Sequence, residues 1–184
     1  MSKTPKLRFK EFSGDWESKK LGELGEFKNG VNKSKEDFGH GYPFINLMDV
    51  FGKNSIKNGK FELVSATDKE LTESNLVEGD VLFIRSSVKP SGVGLTAVIL
   101  EDLKNTVYSG FLIRFRDSGY FDLNFKKYCF YNSKFRNELI SKSSTSANTN
   151  INQENLKLLN INLPSLEEQE KIASFFSLID DKIS

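Results

Sequence analysis

Three short apolar runs set the terms for this fold: VLFIRSS (81–87), LTAVIL (95–100) and VYSGFLIRF (107–115). Each is rich in β-branched or aromatic residues and far below the ~18 residues of a membrane-spanning helix. Turn chemistry bounds them: Glu78-Gly79-Asp80 before the first, Lys89-Pro90-Ser91-Gly92-Val93-Gly94 after it, and the segment 101–105 before the third. Runs of this length with Gly-containing connections predict neighbouring strands of one small, curved, mixed or mostly antiparallel sheet. PFINLMDVF (43–51) has the length and composition of another strand, and Ile161, Leu163 and Pro164 close a last one.

Elsewhere the period changes. Phe125, Tyr128, Cys129, Phe135 and Leu139 share one helical face, with the basic residues outside it, which predicts a helix over 122–141. A short helix is expected near 153–158, a short helical or irregular stretch over 71–77, and a polar loop over 141–152. The final helix has a distinct start, because Ser165 and Glu168 form a capping-box pair. Glu167, Glu168 and Glu170 suit the positive end of its dipole. Ile172, Phe176, Ile179 and Ile183 then recur at heptad spacing, a seam for another helix. Residues 1–27 read as an entry segment with Leu7, Phe9, Phe12, Trp16 and Leu21 as apolar anchors. The expected class is α/β (α+β): a small curved mixed sheet with flanking helices over 1–163, then a helix begun at 164–184.

Composition narrows the function. A chain of 184 residues suits one compact domain, and sixteen phenylalanines argue against disorder. One Cys excludes an internal disulfide, and one Cys with one His excludes the ordinary zinc sites. The basic start lacks the apolar stretch of a signal peptide, so a soluble cytoplasmic protein without membrane association is expected. The net charge is only +1, but it is unevenly placed. Residues 126–142 hold Lys126, Lys127, Lys134, Arg136 and Lys142 against Glu138, whereas 151–184 are net acidic. A basic body with an acidic tail suggests two partners, one of them polyanionic.

Nothing in the chain assembles an enzyme site. There is no P-loop and no Gly-x-Ser-x-Gly elbow. His40 reads as an exposed loop residue and Cys129 as core packing, and Ser91 has no base placed for it. A nucleic-acid reading has more material. Arg85, Ser86, Ser87, Lys89 and Ser91 end a strand with a guanidinium, an ammonium and hydroxyls, a set that holds phosphate and reaches base edges. A plain β-turn with solvated charges explains the same residues equally well. Lys53, Asn54 and Lys57 form a second polar, basic loop. Lys33 belongs to a third, and Ser143, Ser144, Thr145, Asn148 and Asn150 to a fourth.

Four stretches carry a family resemblance. They are PKLRFKEFSGDWESKKLGEL, GYPFINLMDV, VEGDVLFIRSS with SGVGLTAVIL, and NINQENLKLLNINLPSLEEQEKIASFFSLIDDKI. Together the chain resembles the DNA-specificity (S) subunit of type I restriction-modification systems. The resemblance implies a non-catalytic target recognition domain whose loops read one half of a split double-stranded DNA target. It implies that Ile172, Phe176, Ile179 and Ile183 start the spacer helix that docks the modification (methyltransferase) subunit, and that the restriction subunit joins through the complex. S-adenosylmethionine, ATP and Mg would belong to those partners, with no cofactor or metal held here. A usual member has two recognition domains and is roughly twice as long. The expectations for a single domain are a half-length S polypeptide working as a homodimer, the first half of an interrupted gene or a designed fragment, with a truncated S-like protein serving only as an interaction or decoy module as the alternative.

Overall fold

The computed structural model describes residues 4–183. In chain order the elements are β1 (Glu17–Lys20), α1 (Leu21–Leu24), β2 (Gly25–Asn29), β3 (Phe38–Ile45), α2 (Leu47–Val50), β4 (Ser55–Ile56), β5 (Glu62–Val64) and α3 (Asp68–Glu73). They continue as β6 (Val81–Ile84), β7 (Ser86–Ser87), β8 (Thr96–Ile99), β9 (Val107–Tyr108), β10 (Leu112–Asp117), α4 (Lys126–Cys129) and α5 (Ser133–Ser141). The remainder is β11 (Ser144–Thr145), β12 (Thr149–Asn150), α6 (Gln153–Lys157), β13 (Asn160–Leu163) and α7 (Leu166–Ile183).

The three apolar runs each contribute one strand, β6, β8 and β10, to a mixed five-stranded sheet of order β2-β10-β6-β8-β4, antiparallel except for the β4–β8 edge. Alternation along the strands divides the core. Val81, Phe83, Val98, Ile113 and Phe115 face one cluster with Phe27, Phe121, Phe130, Phe135 and Leu139. Leu82, Ile84, Ala97, Ile99 and Leu112 face a second, with Ile45, Val50 and Tyr108. Both faces are covered, so these strands read as continuous apolar runs although they pair antiparallel. Ring contacts link the phenylalanines of the first cluster, from Phe27 stacked on Phe115 at 4.8 Å to Phe83 edge-on to Phe130 at 5.1 Å. A second sheet, β5-β3-β9, and a third, β11-β12-β7, flank the first, and β1 pairs with β13.

Several boundaries differ from expectation, each for a local reason. The strand predicted at 43–51 ends at Ile45, because Asn46 starts a helical turn: its side chain accepts from the Leu47 N–H at 2.8 Å while Asp49 accepts from the Asn46 N–H at 2.9 Å. The run at 107–115 splits into β9 and β10, which belong to different sheets. Gly110 sits at the break, where a Cβ would collide with Asn32. The run at 81–87 also divides, with Arg85 between β6 in the central sheet and β7 in the third. The single helix expected over 122–141 is two. Asn132 separates them, donating to the Cys129 carbonyl at 2.7 Å and accepting from the Phe135 N–H at 2.9 Å. The loop expected over 141–152 contains the hairpin β11–β12.

Lys126 is turned inward, contrary to the solvated position its basic segment suggested. It is buried against Asp117, also buried, and donates to the Gly79 carbonyl at 2.8 Å. A lone charge at that depth is costly, so the pair holds together what neither residue tolerates alone. Replacing only the lysine, as in Lys126→Met, leaves Asp117 buried and uncompensated. The expected loss is about 3–5 kcal/mol of folding stability, read as a lowered urea midpoint with an unchanged m-value.

Candidate functional site

The site grows from one end of the central sheet. After Ile84 the chain leaves β6 through Arg85 and enters β7, which pairs antiparallel with β12: Ser86 opposite Asn150 and Ser87 opposite Thr149. The hairpin continues outward, Ser144 opposite Asn150 and Thr145 opposite Thr149. Two segments that read as separate loops are therefore one short ribbon. Backbone bonds extend it: Ile151 N–H to the Arg85 carbonyl at 2.9 Å, and Ser146 N–H to the Asn148 carbonyl at 3.0 Å across the tip. Asn150 Nδ2 donates to the same Asn148 carbonyl, and Ser143 Oγ donates to Leu139, closing α5.

Beside the ribbon the segment Lys89–Val93 makes a 3-10 turn over Pro90–Gly92. Gly92 packs where a Cβ would strike the Ser87 side chain, and Gly94, with φ +66°, sits against Leu139 of α5. Arg136 of α5 fastens the turn from beneath, its Nη2 donating to the carbonyls of Ser91 at 3.1 Å and Val93 at 2.7 Å. Its Nη1 is buried with no partner, and none of the ion pairs among the described residues includes it. Burial holds this guanidinium below the usual arginine value.

These elements wall a groove of roughly 620 Å³. Its polar lining is Asn46, Ser86, Ser87, Lys89, Ser91 and Asn148; its apolar rim includes Met48, Val88 and Phe111, which are 69%, 81% and 58% exposed. Arg85 does not line the groove but lies between its lining residues Ile84 and Ser86; it is half-buried, its Nη1 donates to the Gly110 carbonyl at 3.4 Å, and it belongs to no ion pair among the described residues. Hydroxyls, an amide, unpaired cations and exposed apolar tips suit an anionic, partly apolar ligand surface. His40 is exposed, and Cys129 is buried, which pushes its thiol well above the usual range. No cluster of three or more His, Cys, Asp or Glu suited to a metal occurs among the described residues.

The other expected residues distribute unequally. Lys53 and Asn54 line a second groove, of roughly 1170 Å³, between the 52–55 turn, the α4–α5 junction and α7. Lys57 is exposed beyond β4 and lines neither groove. Lys33 is removed from the site: its ammonium bonds both oxygens of Glu70 at 2.7 and 2.8 Å, and its side chain is only 8% exposed. The pairing spends on Glu70 the charge that composition had assigned to a ligand. Sequence reasoning missed Arg136, Val88 and Phe111. An arginine on an amphipathic helix, a lone valine in the polar 85–91 segment and a phenylalanine inside an apolar run carry no local mark of a loop support or an exposed tip.

The expected C-terminal seam is divided. The first turns of α7 are buried in the body, with Glu168 and Gln169 each 1% exposed. The Glu168 N–H donates to Ser165 Oγ at 3.3 Å, as the capping motif predicted. The Glu168 carboxylate accepts two bonds from Arg8, both 2.7 Å, and one from Trp16 Nε1 at 3.3 Å. Gln169 joins the Tyr120 and Pro164 carbonyls to the Asp122 N–H. Ile172 packs on the core and the Phe176 ring lies 5.1 Å from Tyr128. Ile179 is half-buried, and Ile183 is exposed along with Leu178 and Phe175. No helix of the described residues is long and apolar enough to cross a membrane.

Comparison with known proteins agrees with this arrangement. The chain is 28% identical to a Methanocaldococcus jannaschii protein described as a type I restriction enzyme MjaX specificity subunit, over 97% of this chain and 42% of that one. Its fold matches an HsdS subunit from Thermoanaerobacter tengcongensis (TM-score 0.63, 23% identity, 94% of this chain and 39% of that one). It also matches a chain from a study of complex assembly and conformational transition of the type I R-M system (TM-score 0.66, 22% identity, 94% and 40%). The chain thus spans about two fifths of the length of these relatives. The profile of the type I restriction modification DNA specificity domain covers residues 13–184, and the chain belongs to that family.

Proposed function

We propose that this chain is a non-catalytic DNA-recognition domain, over 1–163, that reads one half of a bipartite duplex target for a type I restriction-modification complex. The observation that carries the reading is the joining of β7 to the β11–β12 hairpin. It places Ser86, Ser87, Ser144, Thr145 and Asn150 on one ribbon, beside Arg85 and the Lys89–Val93 turn. Short hydroxyl and amide side chains on a two- or three-stranded ribbon suit groove contacts, and an arginine at its root suits guanine. Arg85 is the first candidate for base contact; Lys89 and Lys57 are phosphate contacts. In this reading α7, over 164–184, begins the spacer. Its exposed Phe175, Leu178 and Ile183 meet an apolar partner surface, either the modification subunit or a second copy of this chain. S-adenosylmethionine, ATP and Mg act on the partner subunits, the restriction subunit joins through the assembled complex, and the setting is the cytoplasm.

The experiment is methylome sequencing of cells carrying this gene with and without a cognate modification subunit. A new two-part, symmetric methylated motif is the expected result, because two copies about a two-fold axis read a symmetric target. No new motif, with the modification subunit shown to be expressed, would overturn the reading and leave an interaction or decoy module. Given the motif, Arg85→Ala is expected to lose discrimination between target and scrambled duplex in a binding assay. Lys57→Ala is expected to weaken both and flatten the salt dependence. Arg136→Met frees the Lys89–Val93 turn and is expected to lower the melting temperature by a few degrees and to reduce the target-to-scrambled ratio about tenfold at a temperature where the variant is fully folded, about one base-pair's worth of discrimination.

A further inference from the structure

The second groove has a composition of its own. Lys53 and Asn54 stand on one side; Lys127, Tyr131 and Lys134 line it from α4, the junction and α5. Lys53 and Lys134 are exposed and Lys127 is half-buried. None of the three ammonium groups belongs to an ion pair among the described residues. The acid that lines the groove is Asp180, whose carboxylate accepts from the Tyr128 hydroxyl at 2.8 Å. The wall is firm, because the Tyr131 hydroxyl donates to the Thr96 carbonyl at 2.6 Å and accepts from the Thr96 N–H at 3.3 Å. The two grooves adjoin: Leu95 lines both, and the chain passes from Phe51 in the first to Gly52 in the second.

We infer that the second groove is a phosphate track, in which Lys53, Lys127 and Lys134 hold the sugar-phosphate backbone of a duplex that continues past Leu95 from the first groove. The inference rests on the DNA-binding reading above and extends it from the ribbon to a path ending at α7. Charge decides the occupant. Three ammonium groups without an ion-pair partner among the described residues line one cleft; a polyanion supplies the missing counter-charge, whereas an apolar helix would desolvate them without compensation. Lysine, a compact charge on a flexible stem, positions phosphate without reading bases. The track therefore adds affinity and register but no sequence preference.

The test needs no knowledge of the target. The full chain is titrated against a labelled duplex of arbitrary sequence over a series of salt concentrations, as wild type and as Lys53→Gln/Lys127→Gln/Lys134→Gln. Lys104→Gln, an exposed lysine outside both grooves, serves as the control. Each phosphate contact contributes about 0.9 to the slope of log K against log salt, so the triple variant is expected to lose about 2.7 from the slope while the control keeps it. Equal slopes for the triple variant and wild type would overturn the track. If the same variant then failed to bind the modification subunit, the groove would be a protein seat. Wild-type protein that binds no duplex would overturn both this inference and the reading beneath it. A slope loss with no methylated motif would retain the track and reject the sequence-reading role.

Discussion

A buried carboxylate ties this molecule together. Glu168, at the start of the last helix, is almost wholly removed from solvent and is bound by Arg8 from the other end of the chain, with Trp16 adding a third donor. An ionised carboxylate at that depth requires such partners, so the entry segment, the globule and α7 adopt one relative arrangement. Gln169 makes the same demand on the 120–122 turn through three bonds. The direction in which α7 leaves the body is therefore set by polar groups with fixed geometry. Apolar packing alone would allow the helix to roll or slide. In the proposed reading, where DNA is met at one end and a partner along the helix, that direction sets how the two are placed.

The central sheet supplies the other half of the arrangement. Its middle strands are covered on both faces, so their ends are rigid points from which short segments emerge. Arg85 is the hinge at one such end: its carbonyl accepts from Ile151 and its N–H donates to Phe111, which places the ribbon and the Phe111 tip together. The Lys89–Val93 turn is held against α5 by Arg136 and by the close approach of Gly94 to Leu139. Site residues from three distant stretches of chain are thereby carried on core elements, and ordering them on binding costs little conformational entropy.

Much of this was legible in the amino-acid order. Parts of the apolar runs at 81–87, 95–100 and 107–115 do meet in one mixed sheet, as β6, β8 and β10, and the Ser165–Glu168 start of the last helix is where the capping pattern put it. The errors share a cause. Where a strand changes sheets, at Arg85 and at Gly110, the extended chain continues while the pairing partner changes, and no local feature says which sheet each part joins. Asn132 ends one helix and caps the next with a single side chain, which a periodicity count over 122–141 averages away. Charge was the least legible property. In sequence Lys33 reads as a loop cation, Lys126 as a solvated base and Glu168 as a helix cap, yet each is consumed by an ion-pair partner, nine residues away for Lys126, 37 for Lys33 and 160 for Glu168. The union of β7 with the β11–β12 hairpin depends on a non-local pairing of two polar segments that have no apolar signature to announce it.

The account turns on that ribbon and its neighbouring turn being the face that meets DNA. Hydrogen–deuterium exchange of the full chain, with and without a saturating duplex, tests this most directly. The account predicts slowed exchange over 85–93 and 143–151, with α3 and the β3–β5 pair unchanged. Protection confined to α3 and the β3–β5 pair, or no protection anywhere under saturating duplex, would contradict it.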